Sequence, residues 1–327
     1  MSARSEAAPP AAIRAAQKKA RQLAARIPGV LAVGIGHKHS RDDGYGRGRP
    51  AVKFLVRAKA DPEQRAQRIP RTLTVAVDGQ SYRVPTDVEA VGRLRPHGVP
   101  ACFASDGNVE GCHGTPGFLL DDPSGARYLV TAGHVLFNLQ QQNPWSSPSV
   151  PVFVDGDRVG TAVAQQTFFL VNVAGQWMRR DVGLVKLNTT SDVMALFQRA
   201  PWSYLQRVAT GARLSGYFTK GAPPQLAQGF GQQTSPLVYL DQLLEEGLDV
   251  PGAGTYAPKI IRSRAEDVPF ADGDSGGPLV TDNGATLVGL HVVGDDTQPF
   301  FGWSISAEAI IRDLSNRLQR PLKLTTI

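Results

Sequence analysis

Ser275 lies in a stretch whose residue types suit a nucleophile. A serine hydroxyl attacks a substrate when a tight turn exposes it, a base can reach it, and backbone N–H groups face the oxyanion that forms. Glycines on both sides of the serine permit such a turn. The surrounding sequence is Ala271-Asp272-Gly273-Asp274-Ser275-Gly276-Gly277-Pro278.

A base and an acid that orients it must come from elsewhere in the chain. Residues 128–132 form an apolar run that ends in Gly133 and His134, and Asp181 stands at the head of an alternating apolar stretch, residues 182–187. Either residue alone has a plainer interpretation, since a lone histidine or aspartate beside a strand is more often structural. The remaining acids considered between His134 and Ser275 lack the alternation and are expected to be surface charges: Asp155, Asp157, Asp192 and Asp241.

The three segments, in the order His, Asp, Ser, resemble the signatures of trypsin/chymotrypsin-like serine peptidases. The matching motifs are Thr-Ala-x-His, an Asp followed by apolar-small-Leu-apolar-Lys-Leu, and Gly-Asp-Ser-Gly-Gly-Pro. The resemblance covers about residues 102–322 and implies two β-barrels, residues 117–187 and 212–303, with a catalytic cleft between them and a C-terminal helix. It implies His134 as the general base, Asp181 as its orienting acid and Ser275 as the nucleophile, with an acyl-enzyme intermediate. The N–H groups of Gly273 and Ser275 would form the oxyanion hole, and no cofactor or metal is required.

The resemblance also places a substrate pocket beside the nucleophile. Trypsin has an aspartate where this chain has Pro269, so a preference for basic side chains through that contact is not expected. His291 stands where glutamate-specific relatives keep a histidine, but Phe270 and Gly294 replace their hydroxyl groups. We therefore favour a large apolar residue before the scissile bond over Glu or Gln, with a buried structural His291 as the alternative. The predicted pocket residues are Pro269, Phe270, His291, Val292, Val293, Gly294 and Gly302, of which Gly294 and Gly302 are expected to leave room for a large side chain.

Asp274 raises the question of activation. In trypsin the matching aspartate pairs with an N-terminal amine that is released by cleavage, yet this chain has no Ile-Val-Gly-Gly sequence after an arginine. Either an internal Lys or Arg pairs with Asp274, or the chain is cut near Arg93. The sequence favours the internal cation.

The chain is predicted to be mostly β, with a small α+β domain before a two-barrel chymotrypsin-like peptidase domain that ends in a helix. Residues 1–10 are expected to be a disordered tail, 11–95 the α+β domain, 96–100 a linker and 101–327 the peptidase domain. Helical periodicity predicts a helix over residues 11–26, and alternation predicts strands at 30–36, 51–56, 73–77 and 81–84. The α+β domain has no catalytic motif, so we expect it to regulate access or dock a protein partner, or simply to complete the fold.

Charge and composition exclude several other functions. The chain carries 35 Lys and Arg against 29 Asp and Glu, a net charge of +6, and residues 11–41 contain bases without acids. No aromatic residues lie between these Lys and Arg residues to stack on nucleobases, so a packed helix with a solvated basic face is favoured over a nucleic-acid site. No apolar run reaches the eighteen residues typical of a membrane span.

The cysteines bear on location and metal binding. Secreted relatives of trypsin usually have a cysteine directly after the catalytic histidine, bridged to the neighbouring strand, and here that position is Val135. The missing bridge favours a reducing compartment, and a bacterial cytoplasmic protein is expected, with organelle import or non-standard secretion left open. Cys102 and Cys112 could pair, but their spacing together with His113 matches no familiar metal site.

A second function class stays open from the sequence. A trypsin-like domain whose pocket is blocked, by Phe270 or by the N-terminal domain, would be a catalytically silent binding scaffold. Pseudo-peptidases of this fold normally lose the serine or the histidine, and this chain keeps both. A serine endopeptidase acting on polypeptides is therefore favoured.

Overall fold

A computed structural model describes most of the chain. The described residues are 8–38, 48–57, 69–96, 114–136, 150–154, 157–163, 166–167, 169–188, 204–205, 213–217, 234–244, 247–250, 253–265, 269–281 and 286–325. The expectations for the tail, for the segment that contains Cys102 and Cys112, and for most of the linker lie outside these residues. Within the described part, no helix combines the length and apolar character that crossing a bilayer requires.

The N-terminal third is a helix packed on a sheet. The helix begins at Pro10, where the fixed φ of proline suits a first helical turn. The buried face of the helix includes Ala12, Ile13 and Ala16, and it packs against apolar side chains of the sheet such as Phe54. The helix predicted from periodicity is confirmed, although it ends at Ala24. The elements are α1 (Pro10–Ala24), β1 (Val30–Lys38), β2 (Arg49–Val56), β3 (Thr72–Val77), β4 (Gln80–Ala90) and β5 (Leu94–Pro96).

The middle of the chain supplies a six-stranded sheet and a smaller one. The larger sheet has the order β6-β7-β12-β9-β8, with a strand from the C-terminus, Lys323–Leu324, added beside β6, and the smaller one pairs β10 with β11. The elements are β6 (Phe118–Asp121), β7 (Arg127–Thr131), α2 (Gly133–Leu136), β8 (Val150–Val154), β9 (Asp157–Ala162), β10 (Phe169–Val173), β11 (Gln176–Arg180) and β12 (Gly183–Leu187).

The last third returns to both sheets and ends in a helix. Strand β17 joins β11 in the small sheet, and β22 joins β6 at the edge of the six-stranded sheet. Helix α3 (Ala307–Leu318) buries Ile310 and Leu314. The elements are β13 (Tyr204–Leu205), β14 (Arg213–Tyr217), β15 (Thr234–Leu244), β16 (Leu248–Val250), β17 (Gly254–Tyr256), β18 (Ile260–Ala265), β19 (Pro278–Thr281), β20 (Thr286–Asp295), β21 (Phe301–Ser306), α3 (Ala307–Leu318) and β22 (Lys323–Leu324).

One large sheet runs through the first and last thirds of the chain. Its order is β14-β19-β20-β21-β18-β15-β1-β2-β4-β3, and β5 and β13 both pair with β20. The junction is the antiparallel pair β1–β15, in which Ile35 lies opposite Leu243. The N-terminal strands therefore extend the sheet that carries Ser275. The predicted domain boundary near residue 95 stays a prediction.

The mostly β fold with a C-terminal helix is confirmed. Among the described strands no sheet closes on itself into a barrel. The two-barrel arrangement that the resemblance implies therefore stays a prediction.

A buried ion cluster joins the N-terminal strands to the rest of the large sheet. Glu89 on β4 accepts from Arg262 of β18 at 2.6 Å and from Lys53 of β2 at 3.0 Å, and both cations are almost fully buried. The Arg262 guanidinium also lies 3.8 Å from the ring centroid of Phe301. Burial opposes ionisation of Glu89, but the hydrogen bonds and charges of Arg262 and Lys53 outweigh it and lower the pKa of Glu89 from 4.5 to about 2.

The Glu89→Gln variant should be strongly destabilised because it leaves two buried cations without their carboxylate. Removing one partner of a buried ion pair costs about 3–5 kcal/mol, measurable by urea unfolding at pH 7. Since folding lowers the pKa of Glu89, the wild-type advantage is fully present above pH 4.5 and falls as pH drops toward about 2. Asp87→Asn is the control, since Asp87 bonds the adjacent Val88 N–H. Equal losses in the two variants would contradict this account.

Candidate active site

The pairing of β7 with β12 brings the predicted base and its acid together. Gly183, the first residue of β12, lies opposite Thr131, the last residue of β7. A side chain at Gly183 would collide with Leu136 of α2, so glycine permits this close approach. His134 follows the end of β7 and Asp181 precedes β12, so the register places them side by side.

Two hydrogen bonds from His134 to Asp181 fix the imidazole. His134 Nδ1 lies 2.7 Å from Asp181 Oδ2, and the backbone N–H of His134 donates to Oδ1 at 2.9 Å. Both side chains are buried. With Nδ1 facing the carboxylate, the proton on that nitrogen is held in place and Nε2 is left for chemistry.

Tyr256 also donates a hydrogen bond to Asp181, and no sequence motif pointed to this residue. Its hydroxyl donates to Asp181 Oδ2 at 2.7 Å. Strand β17 carries Tyr256 there through parallel pairing with β11, in which Tyr256 lies opposite Arg179. Burial, and then the charge and hydrogen bond of Asp181, raise the pKa of Tyr256 well above its ordinary value, so it stays a protonated donor.

Arg180, the neighbour of Asp181, is buried but is directed toward the C-terminal helix. Its guanidinium pairs with Asp313 of α3 at 2.6 Å and donates to the Pro258 carbonyl at 2.8 Å. Burial lowers the pKa of Arg180, an effect that Asp313 opposes. This pair fixes α3 against the segment that ends in Asp181.

The predicted nucleophile lies on a tight turn. The N–H of Asp274 donates to the Ala271 carbonyl at 3.2 Å, and Gly273 has φ +93°, a conformation that favours glycine. The Asp274 carboxylate accepts from the Ala271 N–H at 2.9 Å. After the turn, the Gly276 N–H donates to the His291 carbonyl at 2.8 Å, which ties the segment to β20.

Thr115 links this turn to the strand that ends near His134. Its backbone N–H donates to the Ser275 carbonyl at 2.8 Å, and its hydroxyl donates to the Gly273 carbonyl at 2.7 Å. The Thr131 hydroxyl donates to the Thr115 carbonyl at 2.8 Å. Gly276 packs so closely against Thr115 and Thr131 that a Cβ atom would collide with both. The Ser275 turn and the end of β7 are thus held against each other.

Ser275 and His134 are not hydrogen-bonded to each other. The Ser275 hydroxyl donates to the Val292 carbonyl at 3.3 Å. His134 Nε2 is buried and has no hydrogen-bond partner among the described residues. In enzymes without substrate such bonds are often long or absent and form when the substrate binds.

The predicted pocket residues lie on three neighbouring segments. On β20, His291 and Gly294 lie opposite Ser304 and Gly302 of β21, and Phe270 stacks on His291 with ring centroids 4.6 Å apart. A Cβ atom at Gly302 would approach both rings within 2.8 Å. The space that Gly302 was expected to leave open is therefore lined closely by these two rings. The remaining predicted residues, Val292 and Val293, are buried on β20, and Pro269 is half-buried beside Phe270.

Comparison with known protein families shows to which family the chain belongs. The family described as Trypsin matches residues 104–302, more than half of the sequence. The chain belongs to the trypsin family. It has no match among curated proteins.

Solved structures of trypsin-like proteases resemble the chain at low identity. Nocardiopsis protease (NAPase) is 16% identical, with 65% of this chain and 98% of that chain covered and a TM-score of 0.36. The active form of the Rv3671c protease from M. tuberculosis is 16% identical, covering 61% and 72% at a TM-score of 0.37. The MamO protease domain from Magnetospirillum magneticum is 20% identical, covering 62% and 97% at a TM-score of 0.34.

Replacing Tyr256 by Phe should weaken the hydrolytic reaction expected of this trypsin-family site. Hydrogen bonds to charged groups contribute about 1.5–3 kcal/mol, so losing one at Asp181 should lower kcat/KM on the order of tenfold. The rate at which a fluorophosphonate labels the protein should fall in parallel. Tyr128→Phe is the matched control, because Tyr128 is a buried tyrosine that donates to Asp122, away from His134. Equal rates in Tyr256→Phe and Tyr128→Phe would refute a positioning role.

Proposed function

We propose that this trypsin-family chain is a serine endopeptidase that uses His134, Asp181 and Ser275. The observation that carries the proposal is the buried His134–Asp181 pair, in which both Asp181 oxygens accept from His134. Such an arrangement holds the imidazole in the tautomer whose Nε2 can accept a proton.

The reaction follows from these roles. Ser275 Oγ attacks the carbonyl carbon of a peptide bond while its proton passes to His134 Nε2, and a tetrahedral oxyanion forms. Nε2 then gives that proton to the departing amine, which leaves an ester between Ser275 and the acyl part of the substrate. A water molecule loses a proton to Nε2 and attacks the ester, and the same proton returns to Ser275 as the acid departs. Asp181 stabilises the imidazolium in both halves.

The oxyanion in this mechanism is bound by backbone N–H groups of Gly273 and Ser275. The turn supports this role, because its closing hydrogen bond uses the N–H of Asp274 and leaves the Ser275 N–H without a partner among the described residues. The positive φ of Gly273 and the two bonds from Thr115 fix the turn before a substrate arrives. Preorganised donors of this kind are among the largest contributions to catalysis.

Asp274 supports the same turn through its bond from Ala271. The internal Lys or Arg expected to pair with Asp274 stays a prediction. Arg95 bonds the neighbouring Asp272.

A second candidate function is a catalytically silent scaffold of the same fold. One observation favours it: the Ser275 hydroxyl donates to Val292 rather than to His134. An activated serine and a silent one differ in their reaction with fluorophosphonates, which modify only the former.

The Ser275→Ala variant should lose both fluorophosphonate labelling and peptide hydrolysis while keeping its folding stability. Loss of the nucleophile in a triad lowers the rate by roughly 10,000-fold or more. Ser306→Ala is the control, since the Ser306 hydroxyl makes no capping hydrogen bond at α3, and its labelling should equal that of wild type. A wild-type protein that resists the probe would establish the scaffold instead.

For the residue before the scissile bond, we infer a preference for small side chains. Phe270 and His291 stack beside Gly302, and both are buried. A large apolar residue, favoured from the sequence, would have to displace one of these rings. The stacking also favours the interpretation of His291 as a structural residue over a carboxylate-binding one.

Shortening Phe270 should widen the accepted range of substrates. In Phe270→Val, kcat/KM for a peptide with Leu or Phe before the scissile bond should rise about tenfold relative to one with Ala, since each methylene accommodated is worth about 1–3 kcal/mol. Phe300→Val is the control, because Phe300 packs on the same apolar cluster. A wild-type preference for Phe that Phe270→Val leaves unchanged would contradict the inference.

A further inference from the structure

Strand β5 occupies the edge of β20 next to Ser275. On that edge, β19 pairs with β20 only as far as Leu290, which lies opposite Pro278. Further along the same edge β20 pairs with β5, with Pro96 opposite Val293, Arg95 opposite Gly294 and Leu94 opposite Asp295. The other edge of β20 is covered by β21 over the same stretch.

Two residues lie between these two pairings, His291 and Val292, and Ser275 contacts the second of them. Val292, whose carbonyl accepts from Ser275 Oγ, directly precedes Val293, where β5 pairing begins. An unpaired strand edge is a template on which an extended polypeptide adds as a further strand. A polypeptide whose carbonyl reaches Ser275 would therefore find its strand-pairing edge at Val293–Asp295 already taken.

The first part of β5 is anchored firmly. Leu94 is 1% exposed and belongs to the main apolar core. The Asp295 carboxylate accepts from the Gly92 N–H at 2.8 Å, and the Asp296 N–H donates to the Arg93 carbonyl at 3.0 Å. These contacts fix the chain up to Leu94.

The last part of β5, nearest Ser275, is held by charges at the surface. The Arg95 guanidinium pairs with Asp272 at 2.8 Å and also bonds Asp296. Asp272 belongs to the turn that precedes Ser275, and the Arg95 side chain is 42% exposed. Exposed ion pairs are weak, so Arg95 and Pro96 can leave the edge far more readily than Leu94.

We propose that β5 is an internal occupant of the edge on which long polypeptide substrates pair, with Arg95 as its releasable latch. The proposal rests on the peptidase function proposed above and adds the regulation of that site. While Arg95 and Pro96 are paired, the chain is latent toward extended substrates but open to small ones. The N-terminal strands, to which β5 is joined through β4, set the position of this occupant.

When β5 occupies the edge of β20, it weakens the binding of long substrates but not that of small ones. A substrate that binds only the open state has its apparent affinity reduced by the fraction of molecules that are open. Weakening the latch raises that fraction and lowers KM for an extended substrate. A reagent that contacts only Ser275 is unaffected.

The test is the Arg95→Glu variant of the full chain, in which a carboxylate replaces the latch between Asp272 and Asp296. The substrates are fluorescein-labelled casein, which is extended, and p-nitrophenyl acetate, which has no residues to pair. We expect kcat/KM for casein to rise about three- to tenfold, mainly because KM falls. An increase of this size matches the small free energy of the exposed ion pairs that the variant removes. Ester turnover and fluorophosphonate labelling should equal those of wild type. Arg127→Glu, which breaks a pair with Asp121 within the β6–β7 hairpin and changes net charge equally, should hydrolyse casein at the wild-type rate.

The outcomes separate the two proposals. Normal labelling with casein hydrolysis that is unchanged or lower in Arg95→Glu would overturn the role of β5. A fall in labelling of Arg95→Glu alone would show that Arg95 supports the turn before Ser275, which also overturns it. Absence of labelling and of ester turnover in both wild type and variant would remove the peptidase function and, with it, the role of β5. Urea unfolding of Arg95→Glu and Arg127→Glu checks that each variant is folded.

Discussion

The buried carboxylate of Asp181 is the constraint on which the rest of this structure depends. An ionised carboxylate removed from water is costly unless donors surround it. Asp181 obtains two hydrogen bonds from His134, in the short helix α2 after β7, and one from Tyr256 of β17. Three distant stretches of the chain must therefore meet correctly before this charge is tolerated. The same contacts orient the imidazole of His134.

The site is supported by contacts that cross between the parts of the chain. Thr115 bonds the turn around Ser275 and is itself held by Thr131 of β7, while Arg180 and Asp313 fix the C-terminal helix against the strand that leads to Asp181. Glu89 ties the N-terminal strands to β18 through two buried cations. The N-terminal third therefore contacts the sheet next to the Ser275 turn at two places, through β1 on β15 and through β5 on β20.

The mostly β fold and the pairing of His134 with Asp181 followed from local patterns, and the exceptions have identifiable causes. The apolar periodicity of residues 11–26 identified α1, and the motifs around His134, Asp181 and Ser275 identified the family. Open space was expected at Gly302 because glycine has no side chain, but the side chains around it also decide whether space is left. Phe270 and His291 are far apart in the sequence, and their stacking beside Gly302 depends on how the turn before Ser275 packs on β20. No sequence pattern marked Tyr256 as a partner of Asp181, since its contact with Asp181 depends on the parallel pairing between β11 and β17.

The sequence by itself determined which residue types could do chemistry, because the turn around Ser275 and the strand ends at His134 and Asp181 are specified by their immediate neighbours. It also determined the mostly β character of the chain. Only the tertiary structure decided which groups surround Asp181, what fills the space beside Gly302, and which strand covers the edge of β20. Those outcomes are set by pairings such as Gly294 with Arg95, about 200 residues apart. Strand pairing over such distances is governed by the register and packing of whole sheets, which no local pattern encodes.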